Sequence, residues 1–417
     1  MKKLIANPNF RLFWLGEAIS LLGDQFLLIA LPWLVLKLTG DPLATGTVLA
    51  VAGIPRAVFM LVGGAITDRF TPRLVMLLSN VGRMALVAVL AALVLSGLVE
   101  LWMIYIFALL FGLADAFFFP AQSAIVPQLA GRAELQLANT LVQGTVQLSL
   151  FAGPVLAGLL IAVFSAGDDL SLRGVGLALV VDAVTFLASA FTLWFVRLDK
   201  PAMIEQAEGI LKSLRDGVAL VWREPVLRTI FVLIAAANFL IVGPINVGIP
   251  ILADVRLPEG AAAFGVVMSA FGAGSVLGLV LVAALPKPPE HRLGTILIVV
   301  WSFVGLRLAA MGVLVGTVPV AIAALLMGVA NSYVTITFIT WLQLRVPEAA
   351  MGRVMSLMMF FSVGLLPISN TLSGIVADLN LTLLFVGFGL TMAVLVLVAM
   401  APIPRVRRME VGLVAGD

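Results

Sequence analysis

Seven ionisable side chains lie inside long apolar segments of this sequence, where a charge needs a partner or a function. They are Glu17, Asp24, Arg56, Arg83, Asp115, Asp182 and Arg307. On insertion scales each costs about 2.5–3.5 kcal/mol at the centre of a membrane-spanning helix, so unpaired positions facing lipid are disfavoured. Carboxylates and arginines in such places can bind and release a proton, or they can hold helices together as buried ion pairs.

The first apolar segment carries the best-placed acids. Glu17, Ser20 and Asp24 follow an i, i+3, i+7 spacing, which puts them on one face of a helix. Charging a carboxylate near the middle of the segment costs free energy unless an arginine offsets it, so Asp24 is predicted to carry a proton. We predict a proton-coupling group that contains Asp24 and five further residues: Arg56, Arg83, Asp115, Glu17 and Asp182. The alternative is a static ion pair of Asp24 with one of the two arginines.

The composition sets the environment of these charges. Of the 417 residues 62% are hydrophobic and only 11% are charged, whereas soluble domains carry about 25% charged residues. Twelve apolar segments, the first near 12–36 and the last near 380–401, have the length of about 20 residues that a spanning helix needs. The sequence therefore predicts an all-α polytopic membrane protein with twelve transmembrane helices. The first segment is too long for a cleavable signal peptide.

Several kinds of chemistry have no residues to support them. The chain has no cysteine and one histidine, His291, which excludes disulfides, thiolate chemistry and metal clusters of Cys or His. No P-loop that would bind ATP is present, and no motif supports a channel or a membrane-embedded enzyme. The net charge of +3 comes from basic residues in short loops, so it does not indicate nucleic-acid binding. We expect a protein that is not an enzyme and needs no cofactor, metal or nucleic acid.

The loop charges orient the predicted helices. Most of the 25 Lys and Arg residues lie in the termini and in alternate loops, while the loops on the other side hold only Lys37, Arg173 and Arg256. Basic loops stay on the cytoplasmic side of a membrane. Both termini are therefore predicted to be cytoplasmic.

The longest polar stretch divides the chain into two similar halves. We predict an N-terminal six-helix bundle over 1–196, a cytoplasmic linker over 197–225 and a C-terminal six-helix bundle over 226–417. The pair Val126-Pro127 and the later Gly131-Arg132, after the fourth segment, recur after the tenth as Val346-Pro347 and Gly352-Arg353. Parallel repeats of this kind place a substrate site between the halves, near the middle of the bilayer.

The turn between the second and third segments carries a signature. The stretch 63–73, GGAITDRFTPR, resembles the major facilitator signature, and the matching positions are Gly64, Asp68, Arg69 and Arg73. Thr71 and Pro72 depart from it. The resemblance implies the major facilitator fold of two six-helix bundles, with these four matching residues as a conformational latch. The alternative is an ordinary basic turn on the cytoplasmic side.

Further stretches resemble exporters within that superfamily. Gly144, Gly153, Pro154 and Gly158 in the fifth segment are similar to the interface motif of proton-coupled antiporters, and the proline would bend the helix. The stretch 112–139, together with 23–25 and 39–42, resembles bacterial macrolide-efflux and enterobactin-exporter proteins. Ala108 stands where many drug/proton antiporters have an arginine, so a proton relay must use other residues.

Neutral polar side chains dominate the second half. We predict a substrate cavity formed by Gln25, Asn238, Asn246, Arg307, Asn331, Tyr333 and Asn370. Such groups also hydrogen-bond between helices, and Arg307 can contact either an acidic substrate group or a backbone carbonyl. Gly243-Pro244 in the seventh segment is typical of an interrupted helix that can act in gating.

The resemblance implies a function. It predicts a secondary active transporter that exports amphipathic small molecules, such as drugs, macrolides or siderophores, by alternating access with a proton gradient as energy source. The alternative is an uptake or exchange carrier for a nutrient or a lysolipid. The expected partners are a small amphipathic substrate, protons and the lipid bilayer. The expected form is a monomer that crosses the bacterial cytoplasmic (inner) membrane several times.

Overall fold

Helices form nearly all of the structure, a computed structural model that describes residues 2–131, 134–165, 172–198, 218, 221–222, 224–285, 290–346, 354, 357–358, 361–362 and 364–400. No strand occurs among these residues. A short helix, Lys2–Ala6, comes first. We number the helices that follow α1 Pro8–Thr39, α2 Pro42–Arg69, α3 Pro72–Leu95, α4 Leu101–Leu129, α5 Leu135–Phe164, α6 Arg173–Phe195, α7 Pro225–Arg256, α8 Ala261–Ala284, α9 Glu290–Met311, α10 Thr317–Arg345, α11 Leu366–Leu379 and α12 Leu381–Met400.

The helices match the apolar segments expected from the sequence. Eleven of them are long and apolar enough to cross a membrane within the described part of the chain. The remaining one, α11, is described as a helix over Leu366–Leu379, and several residues before it lie outside the described part. The predicted fold class, an all-α polytopic membrane protein, is confirmed. Most of the predicted linker 197–225, the second repeat stretch from Pro347 to Arg353 and the residues after Met400 lie outside the described residues.

Local sequence explains where two of the helices begin. Asn7 caps α1, because its side chain accepts hydrogen bonds from the N–H groups of Asn9 and Phe10. Thr71 caps α3 in the same way, and Pro72 follows at the first helical position, where no N–H is needed. The two residues that depart from the signature of 63–73 therefore start a helix.

Each half of the chain packs mainly within itself. In the first half α6 lies against both α1 and α3, and α4 lies against α2. In the second half α10 lies against α8, and α12 lies against α9. Two further helix pairs, α5 with α8 and α2 with α11, join the halves.

Glycines bring the helices of these two pairs into backbone contact. A methyl group added at Gly158 of α5 would lie 2.9 Å from the Cα of Gly265 on α8. One added at Gly374 of α11 would lie 2.8 Å from the carbonyl oxygen of Pro42 and 3.3 Å from the Cα of Gly46 on α2. Helices in lipid associate through such close approaches of small residues. We call these two contacts the α5–α8 seam and the α2–α11 seam.

Helix α7 is continuous but irregular. Two five-residue π-helical segments, Asn238–Val242 and Pro244–Gly248, flank Gly243. The expected interruption at Gly243-Pro244 is therefore a change of helical pitch. Short π segments inside α-helices are often found at functional sites.

Because only one of two glycines of α5 lies at the α5–α8 seam, alanine substitutions at the two positions should differ in their effect on stability. Gly158→Ala should lower the melting temperature of the purified protein, because the new methyl group meets the α8 backbone. Gly144→Ala is the matched control, since no other described atom lies within 4 Å of a methyl group there. Thermal unfolding in detergent measures both variants. Equal melting temperatures for the two would contradict the importance of the seam.

Candidate functional site

Arg83 is the centre of a charged cluster inside the first half. Its side chain on α3 is only 2% exposed. Nη1 lies 3.2 Å from Oδ1 of Asp115 on α4, and Nη2 donates a hydrogen bond to Oδ1 of Asn80. The guanidinium also lies over two aromatic rings, 3.8 Å from the centroid of Phe118 and 4.5 Å from that of Phe186. Ion pairing and cation–π contacts together offset the cost of burying this charge.

Asn80 extends the cluster to a third helix. Its amide nitrogen donates a 2.9 Å hydrogen bond to the hydroxyl of Ser189 on α6. Since Asn80 and Arg83 are three residues apart, they share one face of α3. The cluster thereby connects α3, α4 and α6.

Asp24 on α1 lies close to this cluster without an ion pair of its own. The charges of Arg83, Asp115 and Arg56 act on its carboxylate. Among the side chains that the structure describes, however, no basic nitrogen lies within 4.0 Å of Asp24. Of the two arginine partners expected for Asp24, Arg83 is paired with Asp115 instead. Arg56 lies over the ring of Phe119, 4.2 Å from its centroid.

Two fully buried acids flank Asp24. Asp182 on α6 is 0% exposed and Glu17 on α1 is 2% exposed. Glu17 accepts a hydrogen bond from the amide of Gln122 on α4, and Thr185 donates a long one of 3.5 Å to Oδ1 of Asp182. The second carboxylate oxygen of each acid has no hydrogen-bond partner among the described atoms. The predicted proton-coupling residues therefore surround one region of the first bundle.

The predicted latch is described only in part. Gly64, Asp68 and Arg69 belong to the last turns of α2, and the side chains of the two charged residues lie outside what the structure describes. Arg73 is described on α3. Its Nε donates to the carbonyl of Leu193 at 2.9 Å, and its Nη2 donates to that of Trp194 at 2.5 Å. It thus binds the C-terminal end of α6, where a cation is favoured by the helix dipole.

The motif of α5 is divided between two neighbours. Gly158 and Pro154 lie at the α5–α8 seam, where the N–H of Val155 also donates a 2.8 Å hydrogen bond to the hydroxyl of Ser269 on α8. Gly153 instead faces the side chain of Gln25 on α1. Gly144 makes no comparable contact with the described atoms.

A cavity of about 220 Å³ lies inside the second half. We call it the C-half cavity. Two of the predicted cavity residues, Asn238 on α7 and Asn331 on α10, line it. Its further lining comes from α7, α9 and α10 and from two residues that precede α11: Ile230, Leu233, Ile234, Ala237, Ile241, Val242, Leu297, Trp301, Val334, Thr335, Phe338, Ile339, Met358 and Ser362.

The other predicted cavity residues lie elsewhere. The amide nitrogen of Asn246 is 3.5 Å from Oδ1 of Asn370, where α7 meets α11. Gln25 is buried beside α5, and Arg307 lies over the ring of Phe303, 4.8 Å from its centroid. Tyr333 on α10 is not among the residues that line the C-half cavity.

An ion pair joins the two halves where α1 ends. Nζ of Lys37 lies 2.7 Å from Oδ1 of Asp254 near the end of α7. The same ammonium lies 5.3 Å from the ring centroid of Trp33, and that ring stacks on Phe264 of α8 at 6.5 Å. We call these four residues the end clamp. They add a charged and aromatic contact to the two seams.

Sequence reasoning missed the partners of Arg83, the end clamp and Trp301. The spacing of Asn80 and Arg83 by three residues was a usable signal for the first. The end clamp joins residues that are far apart in the sequence, and nothing local indicates their pairing.

The buried and the exposed ion pair should differ sharply in their effect on stability. Arg83→Met leaves Asp115 without its cation, and breaking a buried pair costs about 3–5 kcal/mol. Lys37→Met is the control, because a partly exposed pair is worth about 0–1 kcal/mol. Unfolding of both variants in detergent, titrated with a denaturing detergent, measures the two free energies. Similar losses would show that Arg83 is not needed to neutralise the cluster.

Comparisons with known proteins agree with this architecture. The chain is 27% identical over 399 residues to the multidrug efflux pump Tap of Mycolicibacterium fortuitum, covering 93% of this chain and 94% of that protein. It is 27% identical over 358 residues to the enterobactin exporter EntS of Shigella boydii, covering 84% and 81%. The predicted resemblance to exporters of this branch is confirmed.

Solved structures show the same fold at low sequence identity. A crystal structure of the nucleoside transporter NupG has a TM-score of 0.73 at 16% identity, and the match covers 94% of this chain and 98% of that one. A structure of a POT family transporter in complex with 5-aminolevulinic acid has a TM-score of 0.69 at 15% identity and covers 96% of each chain. The sequence model of the Major Facilitator Superfamily matches residues 13–368. The chain therefore belongs to the major facilitator superfamily and is a membrane transporter rather than an enzyme.

Proposed function

We propose that this transporter exports amphipathic small molecules in exchange for protons, by alternating access of its two halves. The observation that carries the proposal is the arrangement around Arg83, where one cation interacts with several acids. Asp115 is paired with it, while Asp24 and Asp182 interact with it electrostatically without pairing. The exporters Tap and EntS, which align over most of this chain, support the outward direction of transport.

The mechanism requires Arg83 to change its partner. In the described state Asp115 holds the guanidinium, and Asp24 is the acid that takes the transported proton. When Asp24 releases that proton, its new negative charge attracts Arg83 away from Asp115. Since Asn80 also holds Arg83 and is bonded to Ser189 on α6, such a movement would pull on both α3 and α6. Proton binding thereby biases the conformation of the first half.

The contacts between the halves support alternating access. The end clamp and the close approach of Gly46 to Gly374 lie towards one end of the molecule, where α1 ends and α2 begins. With both termini on the cytoplasmic side of a bacterial inner membrane, as the loop charges favour, this end is extracellular. The described state is then closed to the outside. We propose that the transporter works as a monomer, since its substrate route lies within one chain.

The neutral variant of Asp24 tests the coupling. Asp24→Asn should abolish efflux driven by a proton gradient, because an amide cannot release a proton, while the substrate still binds. Asp378→Asn is the matched control, since that acid is exposed at the end of α11. Everted vesicles with an acidified lumen measure drug accumulation for both variants and also report the direction of transport. Unchanged efflux by Asp24→Asn would refute the assignment.

Fixing the end clamp tests alternating access. The chain has no cysteine, so Lys37→Cys together with Asp254→Cys supplies the only two thiols. Joining them with a short bifunctional thiol reagent should stop efflux, and a reducing agent should restore it. Each single variant, treated with the same reagent, is the control. Continued efflux by a fully crosslinked protein would contradict opening at this end.

A further inference from the structure

We infer that the C-half cavity binds the uncharged aromatic part of a ligand that carries an N–H or O–H donor. That this ligand is the transported substrate rests on the proposed function. The binding itself follows from the shape, the charge and the hydrogen-bonding groups of the cavity. Among the residues that the structure describes, all those that line the cavity belong to the second half, so the inferred site lies within that bundle.

The cavity has an apolar floor and a polar rim. Its floor includes Leu233, Leu297 and Val334, each 3% exposed. Asn331 and Thr335, one turn apart on α10, are exposed and line the same cavity. A ligand that fits both surfaces has an apolar body and a polar end. Small-molecule sites commonly combine a mostly apolar wall with a few placed polar groups.

The size of the cavity limits the apolar body to one or two rings. An engineered apolar cavity of about 150 Å³ is large enough to hold benzene, and this one measures about 220 Å³. Trp301 and Phe338 line it, and Phe338 is itself stacked on Trp341, with the ring centroids 6.0 Å apart. Aromatic faces pack well against another ring. A planar aromatic ligand uses this lining better than a flexible aliphatic one does.

The described lining of the cavity contains no charged side chain that could pair with a charged ligand. Every described residue that lines it is uncharged, and the sequence from Val354 to Leu365, which contributes Met358 and Ser362, contains no ionisable residue. Burying an unpaired charge is costly. The cavity therefore selects a neutral group, in contrast to the charged cluster around Arg83.

Asn238 offers an acceptor for the hydrogen-bond donor of the inferred ligand. The amide nitrogen of this residue already donates a 2.9 Å hydrogen bond to the carbonyl of Ile234. Its amide oxygen remains to accept a hydrogen bond from an N–H or O–H of the ligand, and the second N–H of the same amide remains as well. Asn238 is also the first residue of a π-helical segment, so the irregular pitch of α7 helps to place it at the cavity.

Two probes with one ring skeleton test the inference. N-phenyl-1-naphthylamine is neutral and has one N–H, whereas 8-anilino-1-naphthalenesulfonate adds a negative charge to the same rings. The full chain is purified in detergent, heated with each probe, and its remaining folded fraction is measured by gel filtration. The neutral probe should raise the melting temperature in a concentration-dependent way, and the sulfonate should not. Equal shifts with both probes, or no shift with the neutral one, would overturn the inference.

A substitution that fills the cavity shows whether the neutral probe binds there. Ala237 lines the cavity, whereas Ala235, two residues earlier on α7, does not. Ala237→Leu should abolish the shift caused by the neutral probe, and Ala235→Leu should keep it. Ser362→Leu fills the same space from the residues that precede α11, and it replaces Ala237→Leu if that variant does not elute as a single folded peak. A shift that persists in the filled variant would place the probe elsewhere.

The same variants separate this inference from the proposed function. If Ala237→Leu no longer binds the neutral probe and efflux of that probe also stops, the cavity is part of the transport route. If probe binding is lost and its proton-driven efflux is unchanged, the inferred substrate site is wrong and the proposed function stands. If the probe binds as expected while Asp24→Asn exports it normally, the proton coupling is wrong and the site stands.

Discussion

Close backbone contact at glycines is the constraint on which this structure depends. Helices surrounded by lipid gain little from the hydrophobic effect when they associate, so packing and hydrogen bonds must hold them together. Gly158 and Gly265 supply such a contact at the α5–α8 seam, as Gly46 and Gly374 do at the α2–α11 seam. The α5–α8 seam is as extensive as the main helix pairs within each half, and the α2–α11 seam is only slightly smaller. Because the seams lie between two bundles that otherwise pack within themselves, the halves can rock against each other without repacking their interiors.

Burial away from water also explains why charged groups and a neutral cavity lie in different halves. A charge buried in the first half has to find its counter-charge there, and Arg83 finds Asp115 together with the rings of Phe118 and Phe186. The C-half cavity has no ionisable side chain among the described residues of its lining. A proton and a neutral ligand can then bind in separate bundles, and neither disturbs the electrostatics of the other directly. Coupling between them has to pass through the movement of the halves.

The sequence predicted the helices and the set of buried charges, because hydropathy and insertion cost act on each segment separately. It also placed Asn238 and Asn331 in a cavity. It did not predict that Arg83 pairs with Asp115 while Asp24 stays unpaired, since three acids at similar depth differ only in the rotation and tilt of their helices. For the same reason Asn246 and Asn370, expected in the cavity, instead approach each other between α7 and α11. Hydropathy does not report how a helix is rotated about its axis.

Helix α7 offers a physical connection between the C-half cavity and the α2–α11 seam. Asn238 lines the cavity, and five residues later Gly243 lies against Ser369 of α11, whose hydroxyl donates a 2.6 Å hydrogen bond to the carbonyl of Phe239. One residue after Ser369, Asn370 presents its carbonyl towards Gly46 of α2. A ligand that changes the pitch of the π segment at Asn238 would therefore shift the backbone that forms the seam. Because packed seams without spare volume respond to such shifts by separating rather than by deforming gradually, occupancy of a neutral cavity can influence whether the two halves stay closed.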